Sequence, residues 1–437
     1  MGDDSKLLMR VENLTVSRGS QKVIQDVNIE LKAGEIMILN GENGCGKSTL
    51  IEAMANILPY EKGTVIHTKP VFGLSLQQNG IHGDELVHER LTYSMMIANG
   101  NPSEMDKILT HWNLLHRKED RFAHLSFGLK RKISVIQGLM PSYCSKDSRL
   151  CLLDEPTEGL DKNSVKLFAN DLIDLASKGH GFIIATHDPR ISEVATKICN
   201  IDEKIIEIEN VKNTNKVLNK VPTINEKDSN ANLAKALWSK NISQRTMLPI
   251  LKRGLPLIIS WLIIAGLISE LNYESIPSNL AGGLILLPGF LAALIKPTEL
   301  QYFHESRCGD WWKAMIYEPI MPRTTFLEIL AIFLAPFFTS LLILNGSLPD
   351  ETLILFFCSF SILLVMYANN AIYSLAENMP RENATFIPLL TLILIWPYLI
   401  SSDIILTQEI ENSVNQIILI TIIPSIIYLV VPTLSKR

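Results

Sequence analysis

A glycine-rich loop near the start of the chain constrains the fold most. Residues 41–48 read Gly-Glu-Asn-Gly-Cys-Gly-Lys-Ser and fit the pattern G-x-x-x-x-G-K-[ST]. An apolar run of strand length, residues 35–39, precedes the loop, and residues 48–55 have the composition of a helix. Glycines let successive backbone N–H groups turn inward around an anion, and the start of a helix adds partial positive charge. The segment therefore predicts a phosphate-binding loop in an α/β domain, and its two flanking elements disfavour a chance glycine-rich turn.

The side chains of this loop indicate a nucleotide and a metal ion. Lys47 is expected to bridge the β- and γ-phosphates of ATP, and Ser48 is expected to bind Mg²⁺. Cys45 occupies an unspecified position of the pattern, where a small side chain is sufficient. We expect the nucleotide to contact the loop and the first helical turn: Gly41, Glu42, Asn43, Gly44, Cys45, Gly46, Lys47, Ser48 and Thr49.

A second segment, residues 149–156, ends an apolar run with two acidic residues. A buried strand that ends in Asp-Glu would bring Asp154 close to the Mg²⁺. Glu155 would then polarise the attacking water as a general base. Taken alone, the segment could be an ordinary strand that ends in an acidic turn. Beside the phosphate-binding loop, we interpret it as the catalytic strand.

Together with further motifs in the same order, these segments resemble the ATP-binding-cassette (ABC) family over about residues 8–210. Residues 125–129, Leu-Ser-Phe-Gly-Leu, are similar to the signature LSGGQ, with departures at Phe127 and Leu129. The resemblance implies roles for five more residues. These are Gln78 in catalysis and at Mg²⁺, Ser126, Gly128 and Asp161 at the nucleotide, and His187 at the γ-phosphate. The family usually stacks an aromatic ring on adenine shortly after its first strand. This chain has Arg18 there, which could stack on the base or face solvent.

The second half of the chain is unusually apolar. We count six stretches long enough to be candidate membrane spans: 254–271, 279–296, 326–344, 353–375, 385–402 and 416–433. A cytosolic ATPase domain would place these cations on the inner side: Lys252, Arg253, Lys296, Arg307, Lys313, Arg323, Arg381, Lys436 and Arg437. The outer loops, near 272–278, 345–352 and 403–415, contain no Lys or Arg, as the positive-inside rule expects. Within the fourth stretch, Asn369 and Asn370 could contact a substrate or a second copy, or bond between helices.

The longest inner loop has a composition of its own. Residues 303–323 resemble the E-x-R-x-x-G…P-x-x-x-R stretch of six-span ABC export permeases, which forms a cytosolic helix that docks into the ATPase. Trp311, Trp312, Met315 and Ile316 provide apolar contacts, and Glu305, Arg307 and Lys313 provide polar ones. The alternative is an amphipathic helix on the membrane surface.

These observations give a domain plan. The fold class is an α/β P-loop NTPase of ABC type followed by an all-α six-helix transmembrane domain. We expect the ATPase domain at 1–209, a polar linker at 210–232, an amphipathic elbow helix at 233–253 and the permease at 254–437, with a coupling loop at 297–325. The six cysteines form no CxxC pair and indicate reduced thiols. The net charge of −5 does not favour a nucleic-acid partner.

The resemblance implies a half-transporter that hydrolyses ATP and works as a homodimer or with a related half-transporter. We expect it to span the cytoplasmic membrane in contact with lipid, with the ATPase domain and both termini in the cytosol. The expected activity is export of a small molecule, a drug or a lipid. The alternative is an ATP-powered transmitter of signal or force that moves no substrate, which the short outer loops disfavour. A soluble DNA-associated ATPase is incompatible with the six apolar stretches.

Overall fold

A computed structural model gives the conformation of most of the chain. It describes residues 7–19, 21–202, 205–211, 220–226, 247–270, 277–297, 305–316, 326–344, 346–378, 387–406 and 410–434, and the single positions 233, 234, 236, 237 and 324.

The chain divides into two compact units. The first comprises Met1–Asn241 together with Tyr302–Ile320, and the second comprises Ile242–Gln301 and Met321–Arg437. The predicted coupling loop at 297–325 therefore does not belong wholly to the permease, because its central part is grouped with the ATPase unit.

The first unit is built on two sheets. The strands are β1 Leu7–Arg18, β2 Gln21–Lys32, β3 Ile36–Asn40, β4 Lys62–His67, β5 Gly73–Ser75, β6 Leu150–Asp154, β7 Gly181–Ala185, β8 Lys197–Asp202 and β9 Ile205–Asn210. One sheet is antiparallel in the order β2-β1-β4, and the other has the order β5-β6-β7-β3-β8-β9. In the second sheet the β8–β9 pairing is antiparallel, and the other pairings among the described strands are parallel. Strands β6 and β7 are buried along their whole length, which explains why their sequences are continuous apolar runs.

Helices cover this sheet and complete the core. They are α1 Lys47–Met54, α2 Val87–Ile97, α3 Met105–His111, α4 Phe127–Cys144, α5 Lys162–Ser177 and α6 Pro189–Ser192, with short 3₁₀ turns at Pro102–Glu104, Leu115–Arg117 and Phe122–His124. The same unit also contains the nine-residue helix α9, Cys308–Ile316. Helix α4 packs on β5 and β6, and α1 packs on β6 and β7. Because the strands are parallel, the loops after β3, β6 and β7 meet at one edge of the sheet.

Part of the predicted linker packs on the core of the first unit. Val221 and Ile224 are buried and belong to the main core of the first unit. The backbone N–H of Val221 donates to Asp174, and that of Asn225 donates to Glu104. The polar composition of 210–232 concealed these two apolar anchors, which hold residues 220–226 against the first unit.

The second unit is helical in its described parts. Its helices are α7 Met247–Glu270, α8 Ser278–Ala293, α10 Phe326–Ile343, α11 Thr352–Asn378, α12 Ile387–Ile393, α13 Ile395–Ile404 and α14 Ile410–Leu434. Three of them contain stretches long and apolar enough to cross a membrane: Phe326–Ile343, Thr352–Ala376 and Ile410–Val431. Shorter apolar stretches, Arg253–Leu267, Leu280–Ala293 and Leu390–Ile404, occupy the positions of the other three predicted spans.

Two boundaries in this unit differ from the sequence prediction. Residues 247–253 continue directly into α7, so the elbow does not end as a separate helix at 253. The fifth apolar stretch is divided at Leu394 into α12 and α13. Several predicted parts lie outside the described residues: positions 235 and 238–246 of the elbow, positions 298–304, 317–323 and 325 of the loop, and the cations Arg323, Arg381, Lys436 and Arg437.

Polar side chains inside the second unit bond between helices. The Asn369 amide donates to the carbonyl oxygens of Ala293 at 3.2 Å and Ile295 at 3.3 Å. Asn370 accepts a 2.9 Å hydrogen bond from Arg253, whose Nε lies 4.0 Å from a carboxylate oxygen of Glu328. Of the roles considered for the two asparagines, the structure shows interhelical hydrogen bonding.

Candidate nucleotide-binding site

The loop between β3 and α1 has the backbone that its glycines allow. Gly41, Gly44 and Gly46 have φ values of +151°, +87° and +110°, which side chains with a Cβ rarely adopt. A Cβ on Gly41 would also collide with the carbonyl group of Ile201. Gly46 is the residue that immediately precedes α1. The loop therefore presents its N–H groups and the start of a helix to one place, as an anion-binding loop requires.

The charged side chain of the loop lies within the loop itself. Lys47 is buried, and its Nζ donates to the carbonyl oxygens of Gly41 at 2.7 Å and Glu42 at 2.9 Å. The Cys45 sulfur is 3.9 Å from the same nitrogen. The ammonium group is thus held within the loop by two of the loop's own carbonyl oxygens.

The acidic strand brings a carboxylate to the first turn of α1. Asp154 is the last residue of β6, and its Oδ1 accepts a 3.1 Å hydrogen bond from the Ser48 hydroxyl. Burial raises the pKa of Asp154 to about 6, although the bond from Ser48 acts in the opposite direction. A buried carboxylate of this kind is stabilised in its ionised form by a nearby cation.

Glu155 follows in an unusual conformation. Its φ of +45° lies in the left-handed region, and its N–H donates to the carbonyl oxygen of Ala185 at 2.9 Å. A non-glycine residue keeps such a conformation only where its surroundings fix it, often at a functional site. Burial raises the pKa of the Glu155 carboxyl, and the charge of Lys47 and a backbone hydrogen bond from His187 oppose this shift. A raised pKa suits a general base that must accept a proton near neutral pH.

His187 follows the neighbouring strand. It comes two residues after the end of β7, and its Nε2 lies 3.6 Å from Glu155 Oε1. The structure therefore brings Lys47, Ser48, Asp154, Glu155 and His187 to the same edge of the parallel sheet.

The oxygen atoms at this edge fit Mg²⁺. Ser48 and Asp154 supply a hydroxyl and a carboxylate, which are hard ligands, and Mg²⁺ usually completes its shell with water and substrate phosphates. Within the described residues, no cluster of three His, Cys, Asp or Glu side chains is suited to a metal ion. Gln78, the third predicted ligand, is exposed on the turn after β5, and its role stays a prediction.

The signature motif and the following turn pack together. Ser126 caps α4 by accepting a 3.4 Å hydrogen bond from the N–H of Leu129. A Cβ on Gly128 would collide with the carbonyl oxygen of Gly159, and the ring of Phe127 lies against the same glycine. Phe127, which departs from the signature LSGGQ, therefore has room for its ring because Gly159 has no side chain.

Asp161 has a clear structural role. Its carboxylate caps α5 by accepting bonds from the Ser164 N–H at 2.9 Å and hydroxyl at 2.6 Å, and it pairs with Lys132 at 3.0 Å. The hydrogen bonds from Ser164 hold the pKa of Asp161 well below its usual range. The contacts of Ser126, Gly128 and Asp161 with nucleotide remain predictions.

Arg18 pairs with Glu52, a residue that the sequence motifs did not identify. Its Nε donates to the Thr49 hydroxyl at 3.0 Å, and its second guanidinium nitrogen pairs with Glu52 at 2.6 Å. Glu52 is buried on α1. An acidic residue among the apolar positions 50, 51, 53 and 54 was the signal that could have identified it.

A second group of contacts involves residues 305–316, which we call the docking segment. It consists of a 3₁₀ turn, Glu305–Arg307, followed by helix α9, Cys308–Ile316. The Glu305 carboxylate accepts a 2.8 Å hydrogen bond from the N–H of Gly83 and lies 2.9 Å from the His82 ring nitrogen. The carbonyl oxygen of Ser306 accepts a 2.8 Å bond from the N–H of Gly80. These contacts attach the segment to the loop that carries Gln78.

The apolar side of the docking segment is buried in the first unit. Trp311 and Trp312 are at most 2 % exposed, and Cys308 is fully buried. The Trp311 ring lies 3.8 Å from the guanidinium carbon of Arg90, and its N–H donates to the carbonyl oxygen of Leu74 at 3.1 Å. Such burial favours docking over a position on the membrane surface.

Comparisons with known proteins agree with the site. The sequence model of the family described as "ABC transporter" matches residues 24–158. A "Cytochrome c biogenesis ATP-binding export protein CcmA" of Ruegeria sp. (strain TM1040) is 32% identical over 181 residues, which are 41% of this chain and 85% of that protein. The chain belongs to the ABC transporter family. It is an ATP hydrolase, since the ATP-binding domains of ABC transporters hydrolyse ATP in a reaction coupled to transport.

Other similarities to ABC transporters cover a comparable share of the chain. A "Macrolide export ATP-binding/permease protein MacB" of Psychrobacter cryohalolentis is 27% identical over 227 residues, 46% of this chain and 33% of that protein. A solved "Structure of ATP binding subunit of ABC transporter" is 21% identical, with a TM-score of 0.43, and covers 47% of this chain and 90% of that chain. The family match includes the phosphate-binding loop, Gln78, the signature and Glu155. Asp161 and His187 lie beyond it.

Proposed function

We propose that this ABC protein is an ATP-driven exporter of a small molecule, a drug or a lipid. Each chain would contribute one ATPase and one membrane domain, so that two copies, or one copy and a related half-transporter, form the complete machine. The names of two relatives describe export proteins, which supports this direction of transport.

The membrane domain would contain six spans with the ATPase in the cytosol. Three long apolar helices and three shorter apolar stretches support this count. The cations Lys252, Arg253, Lys296, Arg307 and Lys313 fall on the inner side in this arrangement, as do those outside the described residues. Both chain termini would then lie in the cytosol.

The site residues would divide the work of hydrolysis. Lys47 and the loop N–H groups bind the β- and γ-phosphates of ATP. Ser48 and Asp154, with Gln78, would hold Mg²⁺, which neutralises phosphate charge when bound. Glu155 accepts a proton from the attacking water, and His187, 3.6 Å from its carboxylate, orients the γ-phosphate.

Two copies would complete each other's sites. Ser126 and Gly128 of one copy would cap the ATP held by Lys47 of the other, and Asp161 would lie at the same interface. Such an interface is isologous, which is the usual arrangement in a symmetric dimer. Hydrolysis then removes the molecule that holds the two ATPase domains together, and the affinity difference between the two states can move the spans.

The single observation that carries the proposal is the assignment of residues 302–320. They belong to the ATPase unit, whereas the chain before and after them belongs to the apolar helical unit. The polypeptide thus leaves the helical unit, contributes a helix with two buried tryptophans to the ATPase unit, and returns. A movement in the ATPase would be transmitted to the spans through this segment.

The test uses the full chain in liposomes with ATP and Mg²⁺. Fluorescent amphipathic dyes and headgroup-labelled phospholipids serve as probes, and transport and ATP hydrolysis are measured in the same vesicles. We expect at least one probe to stimulate hydrolysis and to move across the bilayer. Glu155→Gln is the matched control, since it should bind ATP without moving the probe.

Two results would contradict the proposal. Full transport by Glu155→Gln would remove the assignment of the base. Normal hydrolysis with no stimulation and no movement of any probe would instead favour a protein that transmits force or a signal without a substrate.

A further inference from the structure

Glu52 holds two arginines that come from distant parts of the first unit. Its side chain is 4% exposed and lies on α1, the helix that starts at the phosphate-binding loop. Its Oε2 accepts a 2.6 Å hydrogen bond from Arg18 at the end of β1. Its Oε1 accepts one from Arg307 of the docking segment. One carboxylate therefore joins the nucleotide side of α1 to the docking segment.

On the nucleotide side, Arg18 is placed to interact with an anion. Its Nε is 3.0 Å from the hydroxyl of Thr49, in the first turn of α1, where the helix N–H groups favour negative charge. Its side chain is 49% exposed, so the guanidinium remains accessible while it pairs with Glu52. A nucleotide phosphate and Glu52 would then compete for the same cation, because both are strong charged acceptors.

On the docking side, the backbone is arranged to aim Arg307 at Glu52. Ser306 and Arg307 have φ values of +50° and +57°, which are unfavourable for non-glycine residues. The bond from Gly80 to the Ser306 carbonyl and the 2.6 Å bond from Arg307 to Asp310 fix this conformation. A conformation of this kind persists where surrounding contacts over-determine it, and it often serves a function.

We propose that Glu52 is a positioning residue that links nucleotide binding to the docking of residues 305–316. When a phosphate draws Arg18 away, Glu52 interacts with Arg307 alone, and this strengthens docking of the segment. Loss of Arg307 leaves Glu52 to hold Arg18 more tightly, which weakens nucleotide binding. The link rests on the docking contact of the proposed function and is independent of any transported substrate.

The first measurement is the Kd of trinitrophenyl-ATP for the full chain in detergent, with EDTA present to prevent hydrolysis. Arg307→Gln should raise the Kd about fivefold or more, the lower range of couplings between sites. In a chain that already carries Glu52→Gln, adding Arg307→Gln should not raise the Kd further. Glu305→Gln is the matched control, because Glu305 anchors the same segment through Gly83 and should leave the Kd unchanged. An equal rise in Glu305→Gln, or a full rise in the double variant, would overturn the link.

The second measurement reads the same link from the docking side. Cys308 is fully buried, and burial raises the pKa of its thiol well above its usual value, so it reacts with a maleimide only when the segment leaves its site. ATP with EDTA should slow Cys308 labelling, followed by peptide mass spectrometry, by the same factor that docking contributes to nucleotide affinity. Protection that survives in Glu52→Gln would overturn the link. Rapid labelling of the unsubstituted chain without nucleotide would instead show that the segment does not dock, and would overturn both the link and the docking contact.

Discussion

Truncation of Trp311 provides the sharpest test of how the docking segment is held. Trp311→Ala removes a ring that is 2% exposed and leaves a cavity beside Gly80, whose Cα faces the Trp311 Cβ. Replacing a buried tryptophan by alanine typically costs about 3–5 kcal/mol. The ring also covers the Arg90 guanidinium at 3.8 Å, an interaction of about 2 kcal/mol where water is excluded. These contributions overlap, so we expect docking to weaken by about 3–5 kcal/mol in total.

The assay is hydrogen–deuterium exchange of the full chain, resolved to peptides that cover residues 305–316. A loss of about 3 kcal/mol corresponds to an increase of roughly 10²-fold in the rate of exchange through the undocked state. Peptides from β6 and β7, which are buried along their whole length in the centre of the sheet, report on global stability in the same experiment. Their exchange should change much less.

Trp311→Phe is the matched control for the ring. It keeps an aromatic face against Arg90 and loses the 3.1 Å hydrogen bond to the Leu74 carbonyl, a loss of about 1 kcal/mol. Its exchange should therefore increase only about five- to tenfold. Unchanged protection in Trp311→Ala, or equal exchange in the two variants, would show that ring burial does not hold the segment.

Three further outcomes follow from single sites. Glu155→Gln should lower ATP turnover about 10²- to 10⁴-fold with little change in nucleotide Kd, and a smaller loss would exclude it as the general base. The Asp154 pKa of about 6 exceeds the ordinary value of 3.8, so its ionised form destabilises the fold above pH 6, and stability is regained as the pH falls from 6 towards 4. Asp154→Asn should thus raise the free energy of unfolding at pH 7.5 by up to about 3 kcal/mol, seen as a higher thermal midpoint, and have no such effect at pH 4; the same gain at both pH values would contradict this reasoning. Glu328→Gln should lower the midpoint in detergent by leaving the buried charge of Arg253 less compensated, a cost of about 3 kcal/mol, and Arg253→Met in the same chain should recover part of it; a neutral single variant would show that the 4.0 Å pair is not stabilising.

Local sequence patterns in the ATPase half were sufficient to predict which edge of the parallel sheet carries the candidate site. Residues 41–48 have a spacing that only a strand–loop–helix can use, and the strand before Asp154 is a continuous apolar run, as a buried parallel strand must be. Parallel strands then bring Ser48, Asp154 and His187 to one edge without further information. Their roles with nucleotide remain predictions of chemistry.

Features that depend on distant contacts could not be predicted in this way. Composition marks 210–232 as polar, and only the fold shows that Val221 and Ile224 enter the core. The break at Leu394 lies in a continuous apolar run that hydropathy cannot divide. The pairing of Glu52 with Arg307 joins residues 255 positions apart, beyond the reach of any periodicity.

At Arg18 the structure adds to what the sequence pattern predicts. The sequence shows only that a cation replaces an aromatic ring, which leaves stacking and solvent exposure equally open. The structure shows that the cation bonds to Thr49 and Glu52, and that Glu52 also bonds to the docking segment. An aromatic ring at that position could bind a base but could not share a carboxylate with Arg307, because it has no charged donor. In the proposed link, Arg18 therefore does what an aromatic ring could not, because it shares the Glu52 carboxylate with Arg307 of the docking segment.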